Sequence, residues 1–332
     1  MKKIKSIVTG GAGFIGSHLV DKLVENGHFV TVIDNLSTGR INNIAHHSKK
    51  NVKLVKVDIS KYTGLEKIFK DNSYVFHLAG LADIVPSIEN PGRYFDANVL
   101  GTLNILKACK NLKLKKLIYA ASASCYGIPK KYPTNENSKI DLQYPYALTK
   151  FLGEKMVMHW AKVYNMPNLS LRFFNVYGLR SRTTGAYGAV FGVFLAQKHS
   201  NKPLTIVGDG KQTRDFINVK DLVNAIYKAS IKKNLKRKIF NLGSGKETSV
   251  NEIAKIIGGK KITVPKRPGE PDRSQADITK IKDELGWSPK ITVKAGVKEL
   301  LRNIDNWSDA PVWTPKLIKK ATKTWFKLLK KN

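Results

Sequence analysis

The chain has 332 residues, 42% of them apolar, enough to bury a sizeable core in one large domain or two lobes. No stretch is long and apolar enough to span a bilayer, and the two cysteines, Cys109 and Cys125, supply neither a disulfide framework nor a metal cluster, so the cytoplasm is the expected compartment. The formal net charge of +33 would suit a polyanion, yet the lysines are spread along the whole chain without a zinc finger or an RNA-binding aromatic signature, which fits a soluble surface that attracts anionic sugar nucleotides.

Met1-Lys2-Lys3 and the apolar residues behind it have the look of a secretory leader, but Thr9, Gly10, Gly11 and Gly13 break the apolar segment, and it reads as mature protein. Residues 4–23 instead spell strand, glycine turn and helix. Ile7 and Val8 lead into Gly10-Gly11-Ala12-Gly13-Phe14-Ile15-Gly16, and apolar residues then recur at helical spacing through Leu19, Val20 and Leu23. Glycines let the backbone approach a bulky anion, and the free N–H groups at the helix start carry positive partial charge, so a pyrophosphate fits at Gly10, Gly13, Phe14, Ile15 and Gly16. A second strand over 29–33 ends on Asp34, placed to bind the ribose hydroxyls of a dinucleotide and to repel a 2′-phosphate, so NAD is expected over NADP. Asn35, Leu36, Ser37, Thr38 and Gly39 form the turn that follows and complete that side of the expected site.

Strands and helices then alternate. A strand over 52–57 ends at Asp58-Ile59, a helix covers 65–69, and a short strand over 74–78 ends at Leu78-Ala79-Gly80-Leu81. Such a succession implies parallel strands with crossover helices and ligands at the carboxyl ends of the strands. Asp58 and Ile59 are therefore candidates for the adenine end, and Leu78, Ala79, Gly80 and Leu81 for the pyrophosphate or nicotinamide end. His77 has no carboxylate or thiol partner nearby in sequence and reads as structural. A helix is expected over 94–110 and a strand over 116–120, running into Ala121-Ser122-Ala123-Ser124-Cys125-Tyr126-Gly127.

Tyr146 and Lys150 open the next helix, and four-residue spacing puts them on one face. A phenol with an ordinary pKa of about 10 becomes a useful base near neutrality only if neighbouring positive charge favours its phenolate; Lys150 and a nicotinamide ring would supply that charge.

With these residues assembled, the chain resembles the extended short-chain dehydrogenase/reductases, specifically nucleotide-sugar epimerases of the UDP-glucose or UDP-N-acetylglucosamine 4-epimerase type. The resemblance runs over residues 4–291 and rests on TGGAGFIGSHL, YAASASCYG, YALTK, LRFFNVYG, IVGDGKQTRDFINV, FNLGSG and KRPGEPDRSQAD. It implies an α/β fold: a Rossmann-type doubly wound parallel sheet over 1–174, with a returning segment near 214–245, and a smaller mixed α/β substrate lobe over 175–332. It implies Ser122, Tyr146 and Lys150 as the catalytic triad, Asn98 as a cofactor-site residue that supports the cofactor helix, and Phe174 against the nicotinamide. Asn175, Val190, Arg214, Arg267 and Glu270 fall where relatives hold the nucleotide diphosphate and ribose, in keeping with the bidentate chemistry of guanidinium groups. Ser274 stands where relatives line the sugar pocket: a tyrosine restricts the site to plain hexoses, and a small residue leaves room for a 2-acetamido group.

Relatives that dehydrate the sugar carry an acidic pair just after the Ser122 position, where this chain has Ala123 and Ser124, so 4,6-dehydration lacks a proton shuttle. The expected reaction is NAD-dependent 4-epimerisation of a UDP-sugar in the cytoplasm by a homodimer joined through helices over 94–110 and 146–164, with no metal. The alternatives are a UDP-glucuronic acid epimerase or decarboxylase and, more remotely, a non-catalytic nucleic-acid-binding or redox-sensing protein that keeps the dinucleotide lobe. Beyond residue 291 the match fades. Leu317, Ile318, Ala321, Trp325, Leu328 and Leu329 can share one face of a helix whose other positions are rich in lysine, and that face is expected to pack on the second lobe, with weak contact to an anionic membrane as the alternative.

Overall fold

The structure, a computed structural model, describes residues 3–61, 64–183 and 190–328. Its first half alternates strand and helix: β1 (Ile4–Thr9), α1 (Phe14–Glu25), β2 (His28–Asp34), β3 (Val52–Lys56), α2 (Leu65–Phe69), β4 (Tyr74–His77), α3 (Ile84–Glu89), α4 (Pro91–Phe95), α5 (Gly101–Cys109), β5 (Lys116–Ser122), α6 (Pro145–Val163) and β6 (Asn168–Phe173). The second half continues with β7 (Asn175–Tyr177), α7 (Val190–His199), β8 (Leu204–Val207), β9 (Thr213–Asn218), α8 (Val219–Ile231), β10 (Lys238–Leu242), β11 (Glu247–Ser249), α9 (Val250–Ile257), β12 (Lys261–Val264), α10 (Thr279–Leu285), α11 (Val293–Arg302), α12 (Pro315–Ala321) and α13 (Lys323–Leu328).

Seven strands form one parallel sheet in the order β10-β6-β5-β4-β1-β2-β3. Its strands are apolar on both sides because helices cover both faces. Leu19, Val20 and Leu23 of α1 and Leu222 and Ile226 of α8 fill one face; Phe69 of α2, Ile105 of α5 and Val157 of α6 fill the other. From β1 the chain moves outward through β2 and β3, then crosses back to β4, β5 and β6 on the opposite side. The carboxyl ends of β1 and β4 therefore border the crevice at which a doubly wound sheet binds ligands.

The remaining strands build two small sheets, β11-β9-β7 and β12-β8, packed with α7, α9 and α11 around a separate core that includes Phe194, Ile253 and Trp307. Strand β10 returns from this region to extend the large sheet. Among the described residues no helix is long and apolar enough to cross a membrane.

Two sequence expectations change. The helix expected over 94–110 is α4 and α5 joined by a π-helical turn at Asp96–Leu100, within which Asn98 is buried. The tail is not one amphipathic helix: it breaks at Thr322, with Ile318 and Trp325 buried at 5% and 3% exposure and Leu317 and Leu328 facing outward. Leu329 lies outside the described residues.

Candidate active site

A cleft of about 780 Å³ runs along the carboxyl edge of the large sheet and under the second lobe. At one end, Gly10 takes φ +71° and a side chain at Gly16 would strike the Gly10 carbonyl, so the turn requires glycine at both places. The N-cap of α1, Gly13, offers no side-chain cap, and the first amides of that helix remain free to bind an anion. Asp34 is 8% exposed, and its carboxylate accepts the N–H groups of Ala12 at 3.0 Å and Leu36 at 2.8 Å. Burial raises its pKa, while those two bonds hold it down. Each oxygen keeps a lone pair for a ribose hydroxyl, so the turn and Asp34 together fit a dinucleotide without a 2′-phosphate.

Gly10, Gly13, Phe14, Ile15, Gly16, Asp34, Asn35, Ser37, Thr38, Asp58, Ile59, Leu78, Ala79, Gly80, Leu81 and Phe174 all line the cleft. Leu36, Gly39 and Asn98 do not. Leu36 packs against the core, and Gly39 backs the Asp34 carboxylate, where a Cβ would stand 2.8 Å from an oxygen. Asn98, 1% exposed, acts from behind: its oxygen accepts Leu81 N–H at 2.8 Å, and its amide nitrogen donates to Leu81 O and Thr149 Oγ1, each at 3.0 Å. It pins the 78–81 turn to α6. His77 is likewise consumed by structure, with its ring nitrogens on Thr9 at 2.8 Å and Thr102 at 2.9 Å, and burial beside the Lys150 charge lowers its pKa to about 3.

Ser122 ends β5, and Tyr146 and Lys150 lie in the first turns of α6. Tyr146 is half-buried; desolvation raises the pKa of its phenol, and the nearby hydroxyls of Ser122 and Ser124 oppose that rise. Ser124 in turn donates its hydroxyl to Ser122 Oγ at 2.9 Å. Lys150 sits one helical turn on, its ammonium 4.5 Å from the Tyr119 ring centre and close to Gly80. Burial pulls its pKa down to about 7, against the opposing charge of Glu154. Glu154, next along the same helix face, is itself held by Arg172 at 2.6 Å in a buried ion pair. A phenol, two hydroxyls and a buried lysine thus share the cleft with the 78–81 turn. Ala123 and Ser124 leave no ionisable group where dehydration would need one.

Asn175, Val190, Arg214, Arg267, Glu270 and Ser274 line the other end of the cleft. Arg214 and Arg267 flank Glu270, at 3.6 and 3.3 Å. The short chain carrying Ser274 is anchored by buried Asp215, which accepts the N–H groups of Ala276 and Gly245 at 2.9 Å each. Sequence reasoning gave no role to Asp215, Tyr144 or Trp313, and placed Trp325 only on the packing face of the tail. Tyr144 lines the cleft and stacks parallel to Tyr146 with ring centres 6.3 Å apart; its position two residues before Tyr146 was the available signal. Outside the cleft, Asp21 gathers His46, His47 and Arg180 at 2.9, 2.7 and 2.7 Å.

A family model described as GDP-mannose 4,6 dehydratase matches residues 7–300. The chain is 41% identical over 309 residues to a Methanocaldococcus jannaschii protein provisionally named a UDP-glucose 4-epimerase, covering 91% of this chain and 97% of that one. Among solved structures, the UDP-N-acetylglucosamine 4-epimerase of Methanobrevibacter ruminantium in complex with UDP-N-acetylmuramic acid superposes with a TM-score of 0.84 at 33% identity, covering 91% of this chain and all of that one (100%). The UDP-glucuronic acid 4-epimerase of Bacillus cereus, in complex with UDP-glucuronic acid and NAD, gives 0.84 at 32% identity, covering 91% and 99%. With the parallel sheet, the glycine turn and the tyrosine-lysine helix in place, the chain belongs to the extended short-chain dehydrogenase/reductases, among the nucleotide-sugar 4-epimerases.

Proposed function

We propose that the protein interconverts UDP-sugars epimeric at C4, with NAD as a resident cofactor, and that its substrates include the UDP-N-acetylglucosamine/UDP-N-acetylgalactosamine pair as well as, or in place of, UDP-glucose/UDP-galactose. The observation that carries this reading is that Ser122, Ser124, Tyr146 and Lys150 line the same cleft as the 78–81 turn, a cleft whose far end presents Arg214 and Arg267. Residues 1–174, with the return near 214–245, form the cofactor lobe in this reading, and 175–332 the sugar-nucleotide lobe.

Tyr146, as phenolate, accepts the proton of the 4-hydroxyl, and Ser122 hydrogen-bonds the same oxygen. Lys150 holds positive charge against the phenolate. NAD, when bound, supplies a reversible hydride acceptor for sugar C4. The 4-keto sugar must turn over before reduction on its other face, which needs a roomy sugar pocket, and Ser274 supports one by being small. Tyr146 then returns its proton, and net redox is zero. Arg214 and Arg267 would exchange Glu270 for the diphosphate and leave that carboxylate to the ribose.

Uronic acid epimerisation or decarboxylation would use the same oxidation with a cation at C6. Arg182 lines the cleft, but its guanidinium is paired to Asp83 at 2.7 Å. The homodimer is supported by apolar residues left exposed on and beside helices α4 to α6: Phe95 of α4, Leu100 of the π-helical turn, Val163 of α6 and Tyr164 just after it are each about 40% exposed or more. Incubating the purified protein with a panel of UDP-hexoses, UDP-N-acetylhexosamines and UDP-glucuronic acid, and resolving the products, tests the reading. Conversion between C4 epimers is expected; release of carbon dioxide from UDP-glucuronic acid with no epimerisation would replace it with the decarboxylase reading.

A further inference from the structure

The family match ends at residue 300, yet the chain beyond it reaches the cleft: Pro311, Trp313 and Trp325 all stand in its wall. The tail is anchored at both ends of its path. Gln197 of α7 donates to the Trp313 carbonyl at 2.6 Å, and Ile318 is buried in the second core. Helix α13 then packs on α3 of the large-sheet lobe, where Thr324 Oγ1 donates to Glu89 at 3.0 Å. Next to the last of these anchors, Trp325, 3% exposed, donates its indole N–H to Pro268 O at 2.7 Å and presents its ring to the Arg267 guanidinium at 5.4 Å.

We infer that Trp325 is a positioning residue for nucleotide binding: its ring face and N–H hold the 267–270 segment, and so Arg267, in the place where it meets the diphosphate. The inference rests on the reading of Arg267 as a diphosphate contact. Two independent bonds support it, because the N–H fixes the backbone one residue after Arg267 while the ring fixes the side chain. An arginine ordered before its ligand arrives loses less conformational freedom on binding, and the gain appears in affinity. The tail also bridges both lobes across this end of the cleft, so the same contact ties the nucleotide segment to α3.

The test uses the full-length, NAD-loaded protein and titrates UDP by calorimetry. Trp325→Leu keeps apolar bulk but neither ring face nor N–H, and it should weaken UDP binding about 5- to 30-fold, the range of a desolvated cation–π contact. Trp325→Phe restores the ring face and should recover affinity to within about threefold. The KM for the nucleotide sugar should rise in parallel in the leucine variant, with kcat and bound NAD near those of the parent. Equal UDP affinity in the leucine variant and the parent overturns the inference, as does a leucine variant that loses NAD together with UDP, since that marks a merely structural role. If the parent itself fails to bind UDP, the diphosphate reading has failed and the inference falls with it, a result distinct from the other two.

Discussion

The carboxylate of Asp34 accepts the backbone N–H of Ala12 at 3.0 Å, so the end of β2 is tied to the middle of the glycine turn. The residue proposed to bind the ribose thus also holds the loop proposed to bind the pyrophosphate, and a change there should reach both.

Nucleotide released by acid from the purified protein is expected to be NAD. Asp34→Asn removes the charge while keeping the side-chain size, and should weaken NAD binding about 10- to 100-fold, the worth of a charge-assisted hydrogen bond of about 1.5–3 kcal/mol. Discrimination against NADP should narrow in the same variant. Reconstitution with each nucleotide measures both effects, and a parent that prefers NADP would contradict the role given to Asp34.

Tyr146→Phe removes only the phenol oxygen, to which the proposed mechanism assigns the proton transfer. Turnover should fall by about 10²- to 10⁴-fold, the usual contribution of a positioned acid–base group, while the UDP-sugar still binds by calorimetry. Retention of most of the parent rate would end the proposed mechanism.

Lys150 carries a pH signature. Burial lowers its pKa from 10.5 to about 7, so between those values the unfolded chain binds a proton that the native chain has released, and stability from this group rises with pH. Below about pH 7 the native lysine is charged and the full cost of burying it is present. Lys150→Met should therefore raise the Tm of the cofactor-free protein most at pH 6, with the gain shrinking toward pH 10, and should abolish turnover at both. Thermal melts across that range decide it; a gain that grows with pH would reverse the sign of the argument.

Ser274→Tyr places a ring in the sugar end of the cleft and leaves Arg214 and Arg267 untouched. Turnover of the acetamido pair should drop at least tenfold relative to the plain hexose pair, since a rigid wall discriminates by excluding volume. Kinetics on both pairs measure the ratio. If the variant handles both as the parent does, Ser274 does not set substrate size.

The sequence by itself determined the units whose chemistry is local. A glycine turn between an apolar strand and a helix, an acid at the end of the next strand, and a tyrosine and lysine four residues apart follow from backbone sterics and helical period, and each stands in the cleft as read. What only the tertiary structure decided are contacts between distant segments. Asn98, buried in a π-helical turn where sequence alone continued the helix, reaches Leu81 and Thr149. Leu36 and Gly39 share the Asp34 turn but face the core and the carboxylate, since the direction of a turn residue is set by what packs behind it. Asp215 fixes the Ser274 segment from 61 residues away through Ala276, and Thr324 meets Glu89 across 235. Period and propensity act over a few residues, so they could mark the tail as amphipathic; packing against α3 and the Arg267 segment decided that Trp325 faces the cleft.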